Sequence, residues 1–243
     1  MIRHKIVTGS ELILILIIVL YCIIVAVVNP AFWGFETLFD IIRSSSTAII
    51  VALGLLVVML SGGIDVSFMS IALFGSYTAA YMMITYKIDS LPFAFVVATL
   101  IGIILGMINA LLVNWLKLPA FIITLGTQNF FHGVMTTFIS DKTYGAGVIP
   151  ESLSRFGSST IFKVNTEMGV MGLTTSAIPV FLLICLTWFI LYRTSIGRGV
   201  VALGNSEESA IRSGFDPLKI RLLAYGYIGA LAGIMGVIYI AQV

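Results

Sequence analysis

Residues 60–76 read LSGGIDVSFMSIALFGS and interrupt an otherwise strongly apolar stretch that runs from residue 44 to residue 86. Built as one unbroken helix, that stretch would be about 65 Å long at 1.5 Å per residue. The hydrocarbon core of a bilayer is only about 30 Å thick, so the chain must break or turn. Gly62 and Gly63 are where it does so most easily, because glycine adopts left-handed backbone without steric cost. Asp65 or Ser67 then suits the cap of the following helix. The apolar core from Thr47 to Leu60 is short for a full span and also fits a re-entrant element. The reading adopted is two spans, 44–60 and 68–86, with a helix break at Gly62 and Gly63.

Composition carries the same message. Of 243 residues, 59% are hydrophobic and 10% charged, with mean hydropathy +1.11. Soluble domains carry about 25% charged residues, so this chain cannot coat a water-soluble particle and reads as an integral membrane protein. The net charge of +2, with no basic run, gives no reason to expect nucleic acid as a partner. Cys22 and Cys185 lie in apolar runs without a CxxC spacing and read as free thiols packed among helices. His4 and His132 have too few carboxylates nearby for a metal site, and His132 reads as a hydrogen-bonded packing residue. The N-terminal run Leu12 to Val28 is longer than a signal-peptide core and lacks a clear cleavage site, so it reads as a retained first span.

Continuous apolar runs rather than alternating ones indicate helices. The expected fold is an all-α polytopic bundle, one transmembrane permease-type domain over 1–243. About seven spans are expected, near 11–29, 44–60, 68–86, 93–113, 118–139, 174–192 and 217–243. Small-residue spacings at Gly102-xxx-Gly106-xxx-Ala110 and Gly229-xxx-Gly233 favour close helix contact. Segment 140–173 reads as an irregular, charge-balanced loop. Segment 193–221 carries Arg193, Arg198, Arg212, Lys219 and Arg221, and the N-terminus carries Arg3 and Lys5. Basic residues prefer the cytoplasmic side. That places the N-terminus and 193–221 inside and 140–173 outside, with six crossings between the two basic regions.

The stretch RTSIGRGVVALGNSEESAIRSGFDPLKIR, residues 193–221, reads as a small helix between glycine-rich connectors. Gly197, Gly199 and Gly204 loosen the backbone. Asn205 is a suitable N-cap, with Glu208 three residues on completing a capping box. Glu207 and Glu208 complement the positive helix start. Gly214 is a natural stop, after which Asp216 caps and Pro217 begins the last span. A helix near 206–213 is predicted, read either as one turn of an ordinary loop or as an element presented to a partner.

Three stretches resemble one family. GRGVVALGNSEESAIRSGFDPLKIRLLAYGYIGALAGIMG looks like the coupling segment of bacterial ABC-importer permeases of the ribose/galactose/autoinducer-2 group, with Gly197, Arg198, Ala202, Gly204, Ala210 and Gly214 on its pattern. LSGGIDVSFMSIALFGS resembles its G-G-I-D-L-S-V-G-S motif through Gly62, Gly63, Ile64, Asp65, Ser67 and Ser70. NALLVNWLKLPAFIITLGT, residues 109–127, resembles the segment between two central helices. Asn205 sits one position early, Ser209 replaces the first paired alanine, and Met69 takes a glycine's place. Members usually continue beyond the point matching Val243, so a truncated or shorter member is expected.

The resemblance implies a type II importer-like permease in the bacterial cytoplasmic membrane, passing a small solute, a sugar above all. It implies an ABC ATPase subunit, a second permease chain and an extracytoplasmic solute-binding protein as partners, besides the lipid bilayer. No G-x-x-x-x-G-K-[ST] phosphate loop is present. ATP hydrolysis is therefore expected from a partner chain, with no cofactor in this one. The expected ATPase-coupling surface is Gly204, Asn205, Glu207, Glu208, Ala210, Ile211 and Gly214. Asp65, Asn109, Asn114, Gln128 and Asn129 are polar residues in or beside apolar runs, where buried polar groups need partners. They are the candidates for a substrate pathway, against the plainer reading of interhelical hydrogen bonding or capping. A secondary transporter or channel is the alternative, because broken helices and intramembrane charge also mark such proteins. An intramembrane enzyme finds no support: neither H-E-x-x-H, paired catalytic aspartates nor G-x-S-x-G occurs.

Overall fold

The computed structural model describes residues 9–139, 149–166 and 169–242. Along these the chain forms α1 (Gly9–Val28), a 3-10 turn at Pro30–Trp33, α2 (Phe35–Leu60), α3 (Phe68–Tyr86), α4 (Leu91–Leu116) and α5 (Ala120–Phe138). There follow α6 (Glu151–Ser158), the antiparallel strands β1 (Thr160–Thr166) and β2 (Gly169–Thr174), α7 (Ala177–Arg193), α8 (Ser195–Asn205), α9 (Glu207–Arg212) and α10 (Pro217–Gln242).

Each expected span coincides with a helix, but the count of seven does not carry over. Among the described residues α2, α3, α4 and α10 are long and apolar enough to cross a bilayer. A fifth span results if α7 and α8, bent by 72° at Thr194, are taken together. The apolar part of α1, Leu12–Val28, is shorter, and α5 is diluted by Thr124, Thr127, Gln128 and Asn129. α2 starts nine residues earlier than expected. Its serine run does not end the helix, because Ser46 Oγ donates back to the Ile42 carbonyl at 2.7 Å.

α10 is the hub. Its glycine face meets that of α4 with backbone against backbone: a Cβ on Gly229 would strike the Gly102 carbonyl, and one on Gly102 would strike that of Gly229. The two small-residue spacings read from sequence therefore face each other. Lipid offers no hydrophobic drive between apolar helices, so such close contact is what van der Waals packing requires. Around this pair the core is filled by Ile50, Ile71, Leu231, Met235 and Ile238. By contrast, Leu12 through Ile18 on α1 are each more than half exposed.

Contacts sort the connections to two ends. At one end of α10, Ile220 and Ala224 pack with Val57, Val200, Leu203 and Ala210, gathering the end of α2 with α8 and α9. At the other, Gly157 of α6 lies against the Ala241 carbonyl, and Gln242 reaches Ser176 Oγ at 3.1 Å. Asp89, in the α3–α4 turn, accepts from the Ser152 amide at 2.9 Å at this second end. α10 is about 39 Å long at 1.5 Å per residue, so the two groups are a membrane thickness apart.

Three local expectations need correction. The described part of 140–173 is not irregular: α6 carries its buried Leu153 inward, and a two-stranded hairpin follows, the one departure from an all-α fold among the described residues. Its residues 140–148, 167 and 168, with Asp141, Lys142 and Glu167, lie outside the described residues, as do Met1 to Thr8 with Arg3, His4 and Lys5. Cys185 is exposed rather than packed. His132 is also exposed, on the outer face of α5. An apolar run marks a lipid-facing surface as readily as a core.

Candidate functional site

The break between α2 and α3 is a complete C-terminal cap. Gly62 sits at φ +85°, the Gly62 amide donates to the Met59 carbonyl at 3.0 Å, and the Gly63 amide donates to Val58 at 3.1 Å. These are the two bonds of a Schellman motif, which satisfies the last carbonyls of a helix and turns the chain away from its axis.

Asp65 is fully buried. Its Oδ1 accepts from both the amide and the hydroxyl of Ser67, each at 2.7 Å. The Ser67 hydroxyl in turn accepts from Asn109 Nδ2 of α4 at 2.7 Å. On the other side, Thr124 Oγ1 of α5 donates to the Ile64 carbonyl at 3.1 Å and accepts from the Val66 amide at 3.3 Å. Asp65 thus folds the linker rather than capping α3. Ser67 holds the cap position, but its side chain makes no capping bond. Burial pushes the Asp65 carboxyl above its ordinary range, against the bonds from Ser67 that pull it down.

The segment after α7 also differs from its reading. Gly197, Gly199 and Gly204 do not loosen it; all three lie inside α8, with Gly197 against the Leu191 carbonyl. Asn205 ends α8, and the cap of α9 is Ser206, whose Oγ accepts from the Ser209 amide at 3.0 Å. Both residue types cap helices equally well, and only the fold of α8 moves the cap one position on. The stop at Gly214 stands: φ is +82°, with Schellman bonds from Gly214 to Ile211 and from Phe215 to Ala210, both 2.9 Å. Asp216 caps α10 through the Leu218 amide at 2.9 Å, and Pro217 is its first residue.

The expected coupling residues divide by face. Ala210 is fully buried in the cluster that pins α9 to α10, so it anchors and presents nothing. Asn205, Glu207, Glu208, Ile211 and Gly214 are exposed, and Ile211 is an apolar side chain 57% exposed. Gly204 faces the break itself. A Cβ there would strike the Leu60 carbonyl and lie 3.2 Å from the Gly62 amide nitrogen. The two motifs that stood apart in sequence are one structural unit.

A second tie runs through Arg221 in the first turns of α10. Its Nη1 donates to Asn114 Oδ1 at the end of α4, and its Nη2 donates to Glu207 Oε2 of α9, both at 2.6 Å. Arg221 is 18% exposed in its side chain, and its paired contacts cross 107 and 14 positions. Beneath this bridge lies a cavity of about 400 Å³, walled by Gly62, Gly63, Asn114, Lys117, Arg221 and Tyr225. Of the pathway candidates, Asp65 and Asn109 meet through Ser67, and Asn114 joins the Arg221 bridge. Gln128 is half-buried, and Asn129 is exposed with its Nδ2 returned to the Leu125 carbonyl of its own helix at 2.9 Å. Neither reaches the other three. Sequence reading missed Ser67 as a joint, and missed Thr124, Arg221 and Tyr225. The one available signal was a charged residue four positions into an apolar helix, at Arg221.

Residues 37–243 match the family of branched-chain amino acid transport system permease components. The chain belongs to this permease family. It is similar to the autoinducer 2 import system permease protein of Escherichia coli O9:H4 (strain HS), 29% identical over 235 residues covering 97% of this chain and 65% of that protein. It is also similar to the ribose import permease protein of Escherichia coli (strain K12), 30% identical over 222 residues, 90% of this chain and 65% of the relative. A relative from Enterobacter sp. (strain 638), again an autoinducer 2 import system permease protein, is 32% identical over 93% of this chain and 62% of its own length. The chain thus spans about two thirds of the length of the permeases it matches. No solved structure matches it significantly.

In this member of the family Asp65 separates charge from shape. Asp65→Asn keeps the Oδ1 acceptor for Ser67 and removes a charge that burial disfavours, so thermal unfolding is expected at the same temperature or higher. Asp65→Ala strands the Ser67 amide and is expected to cost about 1–3 kcal/mol. Equal destabilisation by both variants would overturn this account.

Proposed function

We propose that the chain is the membrane-spanning permease subunit of an ATP-binding-cassette importer in the bacterial inner membrane, and that it carries a small sugar-like solute. A separate ATPase docks on the exposed face of α9, through Glu207, Glu208 and Ile211. A solute-binding protein meets the opposite end, around α6 and the hairpin, and a second permease chain completes the pathway. The N-terminus and 193–216 face the cytoplasm. Family membership supports the class, and the names of the ribose and autoinducer 2 permeases support the cargo. The observation that carries the coupling is the contact of Gly204 with Leu60 and Gly62.

In mechanism, the ATPase displaces α9. Because α8 meets the break backbone to backbone, no flexible side chain absorbs the movement. The Glu207–Arg221–Asn114 bridge passes the same movement to the ends of α10 and α4. The bundle is thereby biased between two packed arrangements, by the difference in ATPase binding to each.

The test is retention of the ATPase on the purified permease. Ile211→Asp is expected to reduce it at least tenfold with little change in the chain's own unfolding temperature, because Ile211 is 57% exposed. Uptake of labelled ribose and other pentoses and hexoses into proteoliposomes is expected only with ATP and the ATPase present. Uptake without any ATPase would refute the proposal.

A further inference from the structure

The cavity beneath the Arg221 bridge has a surplus of hydrogen-bond donors. At about 400 Å³ it lies within the size range of small-molecule sites. The Tyr225 hydroxyl rests against Gly63 on its wall, is 1% exposed as a residue, and has no partner. Lys117, at the joint of α4 and α5, has a left-handed backbone, φ 52°, that residues with side chains rarely adopt. Its ammonium makes no ion pair or hydrogen bond with another described residue. Asn114 commits its carbonyl to Arg221, which leaves its NH₂ group. Arg221 commits one donor each to Asn114 and Glu207 and has five in all.

Glu207 is the one carboxylate on the wall, and Arg221 neutralises it. The wall therefore has one uncompensated positive charge, from Lys117, and unsatisfied donors from a lysine, a phenol, an amide and a guanidinium. We infer that this cavity is a binding site for a small oxyanion of the phosphate class, held by Lys117, Arg221 and Tyr225. The planar fork of Arg221 matches phosphate geometry, and basic pockets between helix ends at a membrane surface suit both free phosphates and lipid headgroups.

The site has a built-in consequence. A phosphate on Arg221 competes with Glu207 for Nη2, so binding weakens the Glu207 tie between α9 and α10, while Ala210 still anchors α9. The anion and Glu207 thus compete for one Arg221 donor, Nη2. That regulatory consequence rests on α9 being the ATPase-docking element; the binding itself does not.

The test uses the full chain in nanodiscs of zwitterionic phosphatidylcholine, with inorganic phosphate titrated against chloride at constant ionic strength and unfolding temperature as readout. A saturable rise is expected. Lys117→Asn, which tolerates the left-handed backbone, and Tyr225→Phe should each weaken apparent affinity about tenfold, on the scale of one charge-assisted bond. Glu207→Gln should strengthen it several-fold, since it removes the internal competitor; a merely structural Glu207 would not give that sign. A second arm replaces added phosphate with phosphatidylglycerol in the nanodisc. Stabilisation there that depends on Lys117, without a response to inorganic phosphate, makes a lipid headgroup the source of the same chemistry. The inference falls if neither anion stabilises the chain in a Lys117-dependent way, or if Glu207→Gln weakens binding. Because the readout is binding to the isolated chain, its failure leaves the importer reading standing, and loss of ATPase retention leaves the binding result standing.

Discussion

Gly229→Val is expected to prevent α4 and α10 from closing. The new side chain would have to occupy the space of the Gly102 carbonyl and come within van der Waals range of Gly106. Side-chain overpacking costs about 1–3 kcal/mol, and here the obstacle is backbone that cannot rotate away. A loss of about 3 kcal/mol or more is expected, seen as a collapse in the yield of monodisperse protein and a lower unfolding temperature. Gly226→Ala, on the same helix, is the control. A Cβ there meets the side chains of Met107 at 3.6 Å and Ile103 at 4.0 Å, both ordinary contact distances. Alanine also stabilises helix by about 0.5–1 kcal/mol over glycine, so this variant should be neutral or slightly stabilised. Equal behaviour of the two variants would remove the case for the glycine seam.

Gly204→Ala is expected to cost far more in transport than in stability. The added methyl lifts the end of α8 from the Leu60 carbonyl and so from the break. The expected stability loss is about 1–3 kcal/mol, the range for overpacking one site. On the proposed coupling, ATP-driven uptake should fall at least tenfold while ATPase retention is kept, because Ile211 and Glu208 are untouched. Gly214→Ala makes a useful contrast. It meets open space but strains a backbone at φ +82°, which costs about 1–2 kcal/mol in αL. A Gly204→Ala permease that transports normally would show that movement does not pass through this contact.

These two glycines show how far local chemistry carries. The membrane class follows from composition, since a chain with 10% charged residues has no polar coat to offer water. The stops at Gly62 and Gly214, and the Asp216-Pro217 start of α10, were legible because helix ends depend on backbone groups within about six positions. The same logic misplaced the cap at Asn205. Asn and Ser are both suitable there, and the choice fell to Ser206 only because α8 continues through Asn205. Gly197, Gly199 and Gly204 were misjudged for a related reason: a glycine that relieves strain and one that admits a neighbouring backbone look alike in one dimension.

The site was less legible than the fold. Asp65 and Asn109 were singled out as polar residues in apolar surroundings, but their joint, Ser67, was not. Nor could Asn114, at the end of one helix, be paired with Arg221 across 107 positions. By itself the sequence determined that the chain is a membrane protein, about where its long apolar helices run, and which short stretches turn it at Gly62 and Gly214, because hydropathy and backbone capping act within a few residues. Only the tertiary structure decided that the glycine break, the end of α8 and the Arg221 bridge form one body around one cavity. That outcome depends on which helix faces meet, and contacts between faces are set by packing across segments far apart in the chain.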